Sequence, residues 1–227
     1  MNRKPQAQPT THAHETVAVV LQVRHGALQV LLWRRALPPF AGRWALPGGA
    51  LADETLERSI RRHLAAKVDV RELSHLEQLE THADRQSGRV TTAYLGLVRA
   101  GIDPTVPDDT EWHSVDRLPA TAFDHGAFAH AGRDRLRAKL SYTNLGFALA
   151  PETFTVSELR DLYAIALGHE VSATNLQRVL LRRRVLEPTG ERRPSGRTGG
   201  RPAEVFRFRS ADLEITDQFA VLRPPSD

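Results

Sequence analysis

The sequence predicts an α/β sandwich followed by a winged helix-turn-helix domain. Three observations lead there. Strand-like runs at 16–23 and 28–33 precede an apolar stripe at helical spacing, Leu56, Ile60 and Leu64. Two short helices with strong start signals, at Thr155 and Ser172, are separated by a tight turn. A basic, Gly-rich stretch over 187–201 then leads into the alternating run Ala203–Arg209.

The chain has 227 residues and is 41% hydrophobic, enough for two modest domains with real cores. It has no Cys, which excludes disulfides, zinc-thiolate sites and a thiol nucleophile. No apolar run reaches spanning length, and residues 1–15 lack the apolar centre of a signal peptide, so a soluble, cytoplasmic protein is expected. The formal net charge is only +4, so its distribution matters more than its size.

In chain order, residues 1–15 are polar and read as a disordered leader, and 16–143 as the first domain. Arg24-His25-Gly26-Ala27 is the turn between the first two strands, and Arg34 and Arg35 leave the second toward Gly48-Gly49. A Gly-Gly turn before a helix lets backbone amides approach an anion. Asp53 is the expected cap of that helix, over 54–70, with Glu54 and Glu57 suiting its positive end. Strands are expected at 74–81 and 90–98 around a polar hairpin loop, then a short strand near Trp112 and a helix from Phe123 to about Tyr142. Residues 144–151 are the expected interdomain joint, 152–209 the second domain and 210–227 a tail in which Ile215 and Phe219 can pack.

In the second domain, Thr155 and Glu158 form a capping box and Gly168 stops the first helix. Ser172 caps the next, whose Leu176, Val179 and Leu180 face inward and leave Asn175, Arg178, Arg182, Arg183 and Arg184 free to face out. From Arg178 to Arg209 ten arginines meet three acids, a net of +7 that leaves −3 for the rest of the chain. Arginine without lysine suits phosphate and guanine contacts, so this segment is expected to bind double-stranded DNA. Thr174, Asn175, Arg178 and Arg182 would enter a major groove; Arg192, Arg193, Arg197 and Arg201 would grip phosphate or reach a minor groove, and Arg183 is a further expected DNA-binding residue.

Arg43-Trp44-Ala45-Leu46-Pro47-Gly48-Gly49 and the helix after it resemble the Nudix box, which in Nudix hydrolases holds magnesium and a diphosphate. Gly49, Glu54, Arg62, Leu64 and Val70 match that box. The carboxylates expected at 63, 66 and 67 are His63, Ala66 and Lys67, and the closing glycine is Asp69. Those three positions share one helix face, so the hard oxygen ligands of a magnesium site are replaced by an imidazole, a methyl and a cation. No metal or other cofactor is therefore expected, and hydrolysis is placed in doubt.

With the winged helix, and with Leu31-Leu32-Trp33-Arg34-Arg35, Lys139-Leu140-Ser141-Tyr142-Thr143 and Leu186-Glu187-Pro188-Thr189-Gly190, the chain resembles the NrtR group of Nudix-related transcriptional regulators. The resemblance implies a homodimeric repressor on palindromic operators whose Nudix-like domain senses an NAD-related metabolite such as ADP-ribose. The ligand would rest on Gly48 and Gly49, with Arg34, Arg35, Arg43, Arg62 and Lys67 as anion partners. Arg62 has a competing role, since the matching family residue pairs with the residue at Glu54, and Trp44 either packs the loop or touches ligand. The alternatives are an active Nudix hydrolase of nucleotide diphosphates, using Asp53, Glu54 or Glu57, and a scaffold whose first domain only dimerises.

Overall fold

The structure is a computed structural model describing residues 13–84, 88–194 and 202–217. Its axis is β1 (His14–Arg24), buried from Thr16 to Val23. His14 and Glu15 therefore belong to the sheet and not to the expected leader; the rest of that leader lies outside the described residues save Ala13. β1 pairs antiparallel with β2 (Ala27–Arg34) through the His25-Gly26 turn, both residues having positive φ. The chain continues through β3 (Trp44–Ala45), β4 (Gly48–Ala50) and helix α1 (Leu56–Val68). After these come β5 (His75–Asp84), β6 (Arg89–Leu97), β7 (Thr110–Ser114) and helix α2 (His125–Tyr142). β6 runs parallel to β1 and carries β5 on its far side, while β7 and β3 pair with β2 and β4 pairs with β1.

A central strand covered on both faces has no polar side to spare. On one face Ala18, Val20, Leu31 and Tyr94 meet Ile60, Leu64 and Val68 of α1. On the other, Val17, Val19, Leu21 and Val30 meet Phe128, Ala129, Leu136 and Leu140 of α2. The α1 cap is Thr55, whose hydroxyl accepts from the Arg58 amide at 3.3 Å, and not the expected Asp53. Asp53 lies two positions before the residue that precedes the first helical turn, too far back to reach it.

The expected joint is not an exposed linker. Leu145–Ala148 form a buried 3-10 turn, and the core under α2 runs on through Phe147 and Leu149 into the second domain. There β8 (Phe154–Thr155), α3 (Val156–Leu167), α4 (Ala173–Arg182), β9 (Leu186–Arg193) and β10 (Ala203–Phe208) make a winged helix, with sheet order β8-β10-β9. The Thr155–Glu158 capping box, the left-handed Gly168 and the Ser172 cap all form as expected.

Two details of the wing depart from the pattern. Much of the expected basic loop is strand β9. The alternation in β10 is broken by a register shift between Glu204 and Phe206, so Val205 and Phe206 are both buried. Opposite that shift Gly190 takes φ of 84°, a conformation a side chain would strain. The described part of the tail returns to the joint. Asn144 donates to the Asp212 carbonyl at 2.8 Å and accepts the Glu214 amide at 2.7 Å. Ile215 bridges Thr143 through backbone but stays exposed, so it does not pack as expected; Phe219 lies outside the described residues. Among the described residues no helix is long and apolar enough to cross a membrane.

Glu77 of β5 fastens α2 to the sheet edge. It accepts from Lys139, and from His75 at 3.0 Å and Arg135 at 3.4 Å. Burial works to raise its pKa, but the hydrogen bonds from His75 and Lys139 bring it down to about 2. A depressed carboxylate stabilises the fold above its ordinary pKa and loses that contribution as pH falls through the folded value. The stability difference between wild type and Glu77→Gln should thus be full above about pH 5 and shrink steadily toward pH 2 in urea titrations.

Candidate ligand cleft and nucleic-acid face

The Gly48-Gly49 turn is held by its own side chains. Lys67 Nζ donates to the Gly48 carbonyl at 2.6 Å and lies 4.3 Å over the Trp33 ring. His63 Nε2 reaches the Ala50 carbonyl at 3.1 Å, and burial lowers the His63 pKa, so the ring is neutral and donates as the Nε2–H tautomer. Arg62 is paired with Glu54, Nε at 2.9 Å and Nη2 at 2.5 Å, and the hydrogen bond from Arg62 lowers the Glu54 pKa. This is a correction for one expected anion partner, Arg62, which braces the helix start; Lys67 spends one donor on a carbonyl. Nor do these residues fit a magnesium ion. Glu57 is paired with Arg61, and among the described residues no group of three His, Cys, Asp or Glu could hold a metal.

Beside the turn is a cleft of about 380 Å³ lined by Glu15, Phe40, Arg89, Thr91, Phe123 and His125, among others. Glu15 stands opposite Ala50 in the β1–β4 register, which joins cleft to turn. It accepts from Thr91 at 2.9 Å and Arg89 at 3.2 Å. Phe40 and Phe123 meet edge to face at 5.1 Å, and Arg35 and Arg89 lie 4.9 and 5.2 Å over Phe123. His125 accepts the Leu46 amide on Nδ1 at 2.9 Å, and burial first, then Arg35 and Arg89, take its pKa to about 4. It is thus a neutral imidazole whose proton is on Nε2.

Of the expected ligand residues, Arg35 stacks on Phe123 of the cleft wall and Arg43 lies 5.6 Å over Phe40 of the same wall. Arg34 turns the other way, stacked 4.8 Å over Trp44, whose ring also packs on His113; Trp44 thus packs the loop. Gly48 and Gly49 shape the turn by lacking side chains. Glu15, Phe40, Arg89, Phe123 and His125 were missed. They come from four separate segments, and only the fold brings them together.

In the winged helix, α4 buries Leu176 and Leu180 and exposes Thr174, Asn175, Arg178, Leu181 and Arg182. Arg178 is held by Asn175 at 2.8 Å, one turn away on the same face. Leu181, 38% exposed, is an apolar side chain in the middle of that polar face and was not anticipated. Arg192 is exposed on β9. Two expected DNA-binding arginines are corrected. Arg183 donates to the Ser141 carbonyl at 2.9 Å and pairs with Asp217 at 2.5 Å, and Arg193 binds Glu158 and Thr153 at 2.9 Å each. Each is tied down by an acceptor from another element. Arg197 and Arg201 lie outside the described residues.

The NUDIX domain family model matches residues 12–131, and that of the NrtR DNA-binding winged helix domain matches 146–208. The ADPR responsive transcriptional repressor NtrR of Acinetobacter baylyi is 30% identical over 208 residues, 86% of this chain and 82% of that protein. Shewanella oneidensis NrtR complexed with a 27mer DNA is 31% identical, with a TM-score of 0.72 over 86% of this chain and 93% of that one. A MutT/nudix family protein from Enterococcus faecalis, 19% identical with a TM-score of 0.68 over 92% of this chain and 90% of that one, shares the fold. A Nudix sandwich with a cleft, continuous through a buried joint with a winged helix, defines a ligand-responsive DNA-binding transcriptional regulator. The chain belongs to the NrtR family of Nudix-related regulators.

Proposed function

We propose that this chain is a repressor whose Nudix domain binds ADP-ribose without hydrolysing it and thereby alters the hold of its winged helix on operator DNA. The observation that carries the coupling is helix α2. Its start lines the cleft through Asp124, His125 and Phe128. Its far end meets the winged helix: Arg137 donates to the Ala166 carbonyl of α3 at 3.1 Å, and the Ser141 carbonyl accepts from Arg183 beside α4. Eighteen helical residues span about 27 Å as one rod. A ligand that presses on Phe128 or His125 is thus felt at the recognition helix, provided it binds one setting of the rod better than another.

The cleft has the chemistry for a nucleoside diphosphate sugar. Phe40 and Phe123 offer faces for a base, Arg35 and Arg89 offer charge to phosphate, and Glu15 and Thr91 offer oxygens to sugar hydroxyls. Non-hydrolysis follows from the carboxylates: Glu54 and Glu57 are tied to arginines, and the rest of the box face is His63, Ala66 and Lys67. On DNA, Thr174, Asn175, Arg178 and Arg182 read bases, and Arg192, with Arg197 and Arg201, contacts the backbone of a palindromic site bound by a dimer.

Gel shifts on a selected genomic operator, with and without ADP-ribose, test this reading. A change in affinity with ligand is expected, with no turnover of ADP-ribose by chromatography. Six or so phosphate contacts predict a log–log salt slope of about −5, and a slope near zero would argue against DNA binding of this kind.

A further inference from the structure

Lys67 occupies an unusual place for a lysine. Its ammonium is half buried, bonded to the carbonyl of Gly48 at 2.6 Å and stacked on Trp33 at 4.3 Å. The Gly48 residue is itself buried, so this carbonyl needs a donor or a cation. Burial, and then the charge of Arg35, hold the Lys67 pKa below the ordinary lysine value, while Glu15 opposes them. Arg35 stands over the cleft wall and Glu15 lines the cleft, so Lys67 shares one electrostatic field with it. An ammonium has three protons, and the carbonyl takes one. We infer that Lys67 is a built-in cation, holding the turn and supplying charge to the anion beside it, so that this regulator takes its effector without a divalent metal.

The neighbouring groups support the replacement. His63 satisfies the Ala50 carbonyl as a neutral donor, so a second backbone oxygen of the turn is closed to metal. Arg62 holds Glu54, the nearest carboxylate of the helix start, in two hydrogen bonds. A divalent ion entering here would meet Lys67 and Arg62 at short range and would have to displace both. In a site with an ordinary carboxylate face, the same turn would open to the ion instead. The inference rests on the effector reading above for its ligand, but its metal half does not.

The test uses the full chain. Calorimetric titration with ADP-ribose should give the same Kd, within about twofold, in excess Mg2+ and in excess EDTA. A weakening of about tenfold or more in EDTA overturns the inference. In the ligand-free protein, Mn2+ followed by electron paramagnetic resonance should remain free; tight binding of one equivalent overturns it. Lys67→Met keeps the apolar stem on Trp33 and removes the charge. It should melt cooperatively and bind ADP-ribose at least about tenfold more weakly, the loss of one charge-assisted contact. Lys67→Glu should bind equally weakly in EDTA, acquire Mn2+ binding and recover affinity when Mn2+ is added. If neither variant differs from wild type in affinity or Mn2+ binding, Lys67 has no such role. If the wild type ignores ADP-ribose in both buffers and Mn2+ stays free, the effector identity falls while the exclusion of metal stands.

Discussion

Replacing Arg178 or Arg182 with alanine is expected to weaken operator binding by about ten- to hundredfold, because a bidentate arginine–guanine contact is worth about 1–3 kcal/mol of discrimination. Both side chains are on the exposed face of α4, opposite the buried Leu176 and Leu180, and Asn175 aims Arg178 outward along that face. The loss should be large on the operator and small on random duplex, since a base contact carries sequence information and a phosphate contact does not. Arg183→Ala should behave differently. It removes the tie between α4 and the end of α2, together with the pair to Asp217. Its main effects should be a lower melting temperature and a blunted response to ligand. Fluorescence anisotropy on operator and scrambled duplexes, with and without ADP-ribose, separates these outcomes. Equal loss on both duplexes for Arg182→Ala would remove it from base reading.

Gly48→Ala should cost at least about 3 kcal/mol, lowering the melting temperature by about 6–12 °C in a chain of this size. A methyl at Gly48 would lie 2.2 Å from the Thr16 carbonyl oxygen and 2.7 Å from Val17 Cα. Both atoms belong to the backbone of β1, the most buried strand of the sheet, so neither can withdraw. Gly49→Ala meets a side chain instead, the His63 ring at 2.6 Å. Truncating that ring in Gly49→Ala/His63→Ala should recover part of the loss, giving a coupling of about 1–2 kcal/mol in a double-mutant cycle. The matching cycle between Gly48 and His63 should show none. Thermal or urea melts of the two cycles decide this, and a mild Gly48→Ala would mean that β4 is not pressed against β1 as described.

Much was legible from local pattern alone. The β1–β2 turn, the capping box at Thr155, the left-handed stop at Gly168 and the Ser172 cap are written in residues a few positions apart, and each formed as read. Local pattern failed where the partner was distant. The wing strand β9 is polar and interrupted by Pro188 and Gly190, and it exists because β10 supplies its hydrogen bonds. Arg183 and Arg193 looked like free DNA-binding residues, and acceptors 34 or more positions away tie them to the protein.

By itself the chain's order of residues determined that there is a Nudix box with His63, Ala66 and Lys67 in place of carboxylates, and that a capped helix pair lies within a strongly basic segment. Those are properties of side-chain chemistry and short spacing, and folding does not alter them. Only the tertiary structure decided that Phe40, Arg89, Phe123 and His125 share one cleft with Glu15, that α2 runs from that cleft to the winged helix, and that Lys67 holds the Gly48 carbonyl. The physical reason is that a cleft, a lever and a buried hydrogen bond are relations between segments far apart in the chain. They arise when β1, covered on both faces, draws those segments onto one core.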